Sequence, residues 1–383
     1  MPEHSFILWG TPHSLFTGKV RSYLLKHGIP FTERTPADPR FAAEIVPAIG
    51  LQVVPVLETP DGAFWQDSTV IIDRLEHREP RLQAASMGLR GVIAHLIDAF
   101  ACNALLPMAM HYRWTYREQQ EQFLLAEFGR AIPSGGPAAP HKAATTAKVM
   151  DRFAGFLAGL GVTREVMPII EQDYLDLLAA LEVHFQHSPY VLGSSPSLAD
   201  FGLMAPLYAH LARDPVPGYI MKTKAPAVAR WTERMNTPGL SDPEYGPADT
   251  SERASLPPTL PGTLAIAFRI WTPGLLADAA RFNVWCSTLD DPAPDTLVSA
   301  DSRRLVHARL GPITNARGGV TFSRESQPQA LWHLARAQAA AAALDPAEAS
   351  ELRALLAHTG GLEVLDIRLE RPIVRKDNVL VLG

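Results

Sequence analysis

The stretch Val53–Glu76, VVPVLETPDGAFWQDSTVIIDRLE, decides the fold. Two short apolar runs, Val53–Glu58 and Ala63–Gln66, flank the turn Thr59-Pro60-Asp61-Gly62. Asp-Gly between apolar runs is a hairpin signal, because glycine accepts the positive φ that a tight turn requires. Pro55 sits inside the first run, where a proline forfeits a ladder hydrogen bond and needs a reason. A cis peptide is one such reason, since it costs little before proline. Asp67-Ser68-Thr69 then opens a helix with Ile71, Ile72 and Leu75 on its apolar side. At a strand-to-helix junction, exposed N–H groups and the Ser68 hydroxyl suit a carboxylate.

Upstream, Ser5–Trp9 (SFILW) reads as a strand stopped by Gly10-Thr11-Pro12. Phe16, Val20, Tyr23, Leu24 and Leu25 recur at helical spacing, and His27-Gly28-Ile29-Pro30 ends that helix. Phe31–Arg34 reads as a second strand. The order is β-α-β, a β-hairpin and a helix, within about eighty residues.

Downstream the pattern changes to long helices. Leu89–Tyr116 is strongly apolar and aromatic, and a Pro/Gly-rich loop lies at Ile132–Pro140. Helical spacing resumes at Ala143–Leu160, at Ile169–Phe185 and from Ser197 through Leu211. Thr237–Gly262 is rich in Pro, Gly, Ser and Asp and reads as a linker. Beyond it the pattern predicts a helix at Leu264–Trp285 and strands near Leu305–Leu310 and Gly319–Phe322. Helices at Leu331–Leu344 and Ala347–His358 and a strand-like Leu362–Leu382 follow. The expected division is 1–82 (α/β), 88–240 (all-α), a linker at 241–263 and an α+β extension at 264–383.

Composition bounds the function. A chain of 383 residues suggests two or three domains. Thirty-five Lys and Arg against forty Asp and Glu give a net charge of −5, which disfavours nucleic acid and anionic membranes as partners. Cys102 and Cys286 are distant and in apolar surroundings, as buried thiols rather than a disulfide. His184 and His187 lie three apart on a helix with no third ligand nearby, so no metal is expected. No secretory signal and no apolar run of about 18 residues is read, which predicts a cytoplasmic protein.

Val53–Glu76 resembles the glutathione-binding half of a glutathione S-transferase N-terminal domain. A second match, Ser197-Leu198-Ala199-Asp200 after Tyr190-Val191-Leu192-Gly193, resembles the capping motif of a core helix in that family's C-terminal domain. As a capping box, Ser197 would accept the N–H of Asp200, whose carboxylate reaches back. The resemblance covers roughly residues 5–240. It implies a thioredoxin-like domain followed by an all-helical domain, glutathione as co-substrate, and a homodimer. It also implies that Val54 and Pro55 contact the cysteinyl part of glutathione, and Asp67 and Ser68 its γ-glutamyl end.

A free thiol has a pKa near 8.5, and the family lowers it with a hydroxyl near the start of the first helix. Here that segment is Gly10–Arg21, GTPHSLFTGKVR, whose Lys19-Val20-Arg21 is similar to the start of the family's first helix. Counting back places Ser14 at the position of the serine-type classes, with Thr17 and His13 as competitors. Ser14 also suits a plain N-cap. The loop holds no Tyr and no Cys. Trp9, His13 and Phe16, with His111, Tyr112 and Trp114 of the first long helix, are the expected lining for an apolar electrophile. Two readings follow: a transferase that activates glutathione, or a non-catalytic relative used for binding or assembly, to which the extension lends weight.

Overall fold

The computed structural model of the chain describes residues 5–82, 87–133, 140–239, 245, 255–301, 303, 305 and 307–383. Strand β1 (Phe6–Trp9) leads into helix α1 (Leu15–Lys26) and strand β2 (Phe31–Arg34). A π-helical turn at Phe41–Ile45 runs into the short α2 (Val46–Ile49), two elements the sequence pattern did not announce. Strands β3 (Val56–Glu58) and β4 (Phe64–Gln66) and helix α3 (Ser68–Arg78) complete the α/β part. The sheet order is β2-β1-β3-β4, with β1 parallel to β2 and antiparallel to β3, and β3 antiparallel to β4. This is the thioredoxin-like arrangement. The hairpin turn closes with Gly62 N–H on Thr59 O at 2.9 Å, and Gly62 takes φ 82° as the Asp-Gly signal required.

The helices that follow are α4 (Gly88–Asn103), α5 (Leu106–Trp114), α6 (Glu121–Gly129), α7 (Pro140–Ala154) and α8 (Met167–His187). Helix α9 (Leu198–Pro206) continues as a π-helical turn, Leu207–Ala212, before α10 (Pro215–Lys224) and α11 (Pro226–Met235). The helix expected over Leu89–Tyr116 is two helices. Pro107 sits in the first turn of the second, where its missing N–H has no intrahelical partner to lose. Asp200 is fully buried and accepts from Val191 N, Ser197 N and Ser197 Oγ at 2.9, 2.9 and 2.8 Å. The carboxylate reaches back as expected, but the Ser197 hydroxyl donates to it.

The C-terminal region comprises α12 (Leu260–Ser287), β5 (Pro312–Arg317), β6 (Val320–Glu325), α13 (Pro328–Ala342), α14 (Pro346–Thr359), α15 (Leu362–Asp366), β7 (Ile373–Lys376) and β8 (Val379–Leu382). Helix α12 starts inside the expected linker, most of which lies outside the described residues. The strand expected near Leu305–Leu310 is instead β5, and the strand-like tail opens with a helix before its hairpin.

By contact the chain forms two compact units: residues 1–81, 109–157 and 203–241, and residues 82–108, 158–202 and 242–383. Their course therefore differs from the linear order 1–82, 88–240, 264–383. In the first unit, Trp9, Phe41, Ile45, Ile49 and Val56 form a core beneath the sheet. In the second, α4 is buried on nearly every side, with α13 packed along it and α12 along α8. Asn103 Nδ2 lies 3.1 Å from His333 Nδ1, and Leu89 N donates to Glu348 Oε1 at 3.2 Å. Gly88–Trp114 and Leu260–Ser287 are each long and apolar enough to cross a membrane, contrary to the expected absence of such runs. Burial inside the protein covers 78% and 50% of their most apolar windows. For α4 the helix α13 accounts for that apolar character.

Candidate functional site

One row of the sheet assembles the site. Trp9 of β1 pairs with Val56 of β3, and Val56 pairs with Gln66 of β4. The segments just beyond that row are Gly10–Ser14, Val54–Pro55 and Asp67–Ser68. Neighbouring strands lie about 4.8 Å apart, so three motifs distant in sequence emerge side by side at one end of the sheet.

The Val54–Pro55 peptide is cis, as the strand proline suggested. Val54 is half-buried against the core and Pro55 is buried. Asp67 is the N-cap of α3, and its Oδ1 accepts from Thr69 N at 2.9 Å and Val70 N at 3.4 Å. Its φ of 78° with ψ 129° is a conformation that side-chain-bearing residues rarely adopt. Such backbone persists only where surrounding structure over-determines it, and it gathers at functional sites. With Ile71 N bonded to Asp67 O, Ser68 keeps its N–H and hydroxyl unclaimed by protein partners among the described residues.

Ser14 is half-buried and caps α1, its Oγ accepting from Thr17 N at 3.4 Å. An accepting hydroxyl retains its own proton, so the cap role leaves Ser14 able to donate. Thr17 is shut away. It is fully buried, and a Cβ on Gly10 would lie 2.2 Å from Thr17 Cγ2, so glycine alone permits that contact. His13 is buried with its ring stacked on Phe128, centroids 4.2 Å apart. Burial first, then the positive charges of Arg113, Arg213, Arg130 and Arg21, push its pKa well below the usual imidazole value. His13 is therefore neutral and brings no charge to a thiolate.

The expected electrophile lining is largely core. Trp9 is fully buried and its indole N–H donates to Glu58 Oε2 at 2.9 Å. His111 is fully buried with Nδ1 3.0 Å from Thr115 Oγ1, Tyr112 stacks on Tyr116, and Trp114 packs with Phe128 and Phe153. Helical spacing of aromatics carried two meanings, and packing is the one realised for His111, Tyr112 and Trp114. Phe16 remains half-buried.

Sequence reasoning passed over Arg113, Asp214 and His210. Arg113 Nε and Nη2 donate to the Asp214 carboxylate at 2.6 and 2.7 Å, and Arg113 Nη1 donates to His13 O at 2.8 Å. The available signal was a lone arginine among His111, Tyr112 and Trp114 on an otherwise apolar helix.

The model of the glutathione S-transferase N-terminal domain matches residues 8–83, and that of the C-terminal domain matches residues 147–234. The chain belongs to the glutathione S-transferase family. Residues beyond 235 lie outside both matches. Similar solved structures include a glutathione S-transferase of Methylobacterium radiotolerans in complex with glutathione sulfonate, at 19% identity and a TM-score of 0.34. The match covers 66% of this chain and 100% of that one. The β-etherase LigF of a Sphingobium strain is 17% identical with a TM-score of 0.39, covering 63% of this chain and 96% of that one. A glutathione transferase of Phanerochaete chrysosporium is 15% identical with a TM-score of 0.41, covering 60% and 96%. No curated protein matches the sequence.

Proposed function

We propose that this family member binds reduced glutathione at the end of the β1-β3-β4 row and activates its thiol for attack on a small apolar electrophile. The observation that carries the reading is the register Trp9–Val56–Gln66, which brings Ser14, Val54–Pro55 and Asp67–Ser68 to one edge. In this reading Ser68 N–H and hydroxyl take the γ-glutamyl carboxylate, and the Asp67 carboxylate takes the γ-glutamyl ammonium. The Val54 backbone holds the cysteinyl unit. The Ser14 hydroxyl donates to the sulfur while its oxygen stays on Thr17 N–H. Lowering a thiol by two units requires about 2.7 kcal/mol in favour of the thiolate. A hydrogen bond to a charged group contributes about 1.5–3 kcal/mol and a helix N-terminus about 0.3–1 kcal/mol. Together they suffice. The functional form proposed is a cytoplasmic homodimer.

A non-catalytic relative is the competing reading, and Ser14 already serving as an N-cap favours it. Titrating the ultraviolet thiolate absorbance of glutathione with and without saturating protein separates the two. A bound pKa about two units below the free value, lost in Ser14→Ala, is the expected result. Glutathione bound with an unshifted thiol establishes the non-catalytic reading instead.

A further inference from the structure

Arg113 on α5 is 2% exposed, and its partner Asp214 is fully buried. A buried ion pair returns little net stability over an apolar pair of the same volume, so its retention asks for another purpose. All five guanidinium donors are used. Nε and one Nη2 hydrogen go to the two Asp214 oxygens, and the other Nη2 hydrogen goes to Ala209 O at 2.8 Å. Of the Nη1 hydrogens, one goes to His13 O at 2.8 Å and one to His210 Nε2 at 2.6 Å. His210 Nδ1 faces Ala109 O at 3.1 Å, and a carbonyl can only accept, so Nδ1 carries the proton and Nε2 accepts. That tautomer is neutral, in keeping with a pKa driven well below the usual value by burial and then by Arg113.

The carbonyl at the end of this network belongs to the residue immediately before Ser14. Ser14 is otherwise held by local bonds at the start of α1: Ser14 N on Thr11 O at 3.1 Å, Gly18 N on Ser14 O at 3.0 Å and the long 3.4 Å cap from Thr17 N to its Oγ, none of which ties the loop to α5. Fixing His13 O from α5 fixes the start of α1 against the helical part of its own compact unit, and with it the direction of the Ser14 hydroxyl. We infer that Arg113 is a positioning residue for thiol activation, holding the Ser14 loop through the His13 carbonyl, with Asp214 and His210 setting the plane of its guanidinium. Lysine cannot replace it, since one ammonium cannot span five acceptors in a plane. The role rests on the thiol-activation reading.

The test compares the bound-thiol pKa in the wild type, Ser14→Ala, Arg113→Lys and the double variant, with binding of S-methylglutathione as a control that carries no ionisable thiol. Arg113→Lys is expected to move the bound thiol at least one unit back toward the free value, a tenfold smaller ratio of thiolate to thiol, with S-methylglutathione affinity within about twofold. Because Arg113 acts through Ser14, the double variant should match Ser14→Ala rather than add to it. Should Arg113→Lys fail to fold, His210→Gln carries the test, with a smaller shift in the same direction expected. An unshifted thiol in the wild-type protein overturns thiol activation and this role together. A shifted wild-type thiol that persists in Arg113→Lys, or in His210→Gln where that variant carries the test, overturns the role alone. Additive effects in the double variant do so as well.

Discussion

Two buried arginine–aspartate pairs, one in each compact unit, are built alike and hold different things. Arg113–Asp214 in the first unit and Arg324–Asp278 in the second are both bidentate and nearly inaccessible. The spare donors of Arg324 go to Glu325 O and Gly274 O, both at 2.9 Å, next to Pro273 inside α12. Proline leaves the carbonyl four residues back, on Arg269, without its helical N–H, so this pair braces an interrupted helix. A spare donor of Arg113 goes instead to a loop carbonyl beside a half-buried serine. The chemistry is shared, and what the remaining donors touch separates a brace from a functional support.

The largest effects would test that contrast directly. Asp214→Ala and Asp278→Ala each leave an uncompensated buried guanidinium, and each should cost about 3–5 kcal/mol in denaturant unfolding. Only Asp214→Ala should also raise the bound-thiol pKa. Equal effects of both variants on the thiol would break the comparison.

An intermediate effect follows from pH. The first unit holds His13 and His210 with pKa values well below the usual range, and His27 down to about 4, in each case chiefly through burial. The second holds His184, lowered mainly by burial. Each of these groups is neutral when folded and takes up a proton near pH 6.5 when unfolded. Their contribution is therefore present above pH 6.5 and is lost as pH falls below it, by up to about 1.4 kcal/mol per pH unit for each histidine until its own folded pKa is reached. Between pH 7 and pH 5 the first unit should lose stability faster than the second, as hydrogen exchange resolved by segment would report. His210→Gln should lessen that slope. A slope untouched by this change would show that His210 is not protonated on unfolding in that window.

The smallest effect contrasts two left-handed backbones. Asp377 and Asn378 form the two-residue turn between β7 and β8, with φ 47° and 65°. Asn378→Gly makes the preferred Asp-Gly turn and should stabilise the protein by less than about 1 kcal/mol, with glutathione affinity unchanged. Asp67→Gly likewise relieves a positive φ and costs only a few tenths of a kcal/mol in capping, so stability should hardly change. It removes the proposed γ-glutamyl contact, however, and affinity should fall about tenfold for a lost charged hydrogen bond. Isothermal calorimetry on the two variants checks both statements.

Much of the first unit's α/β part was legible because its signals are local. Asp61-Gly62 specified the hairpin, Pro55 the cis bond, and Asp67-Ser68 the cap of α3. The role of Trp9 was not legible, since a strand-end tryptophan looks the same whether it faces a ligand or, as here, Phe41 and Ile45. Nor was the course of the second unit, because α4 reads as a first long helix until α13, more than 200 residues later, is found along it.

The sequence by itself determined the order of the four strands and of helices α1 and α3 in residues 6–78, and the motifs at the end of the sheet, because turns, caps and strand prolines act over a few residues. Tertiary structure alone decided which aromatics are core, that Arg113 meets Asp214 and the His13 carbonyl about a hundred residues away, and that the C-terminal helices complete the burial of α4. Those outcomes depend on which distant side chains share a desolvated space, and no local pattern encodes such a partner.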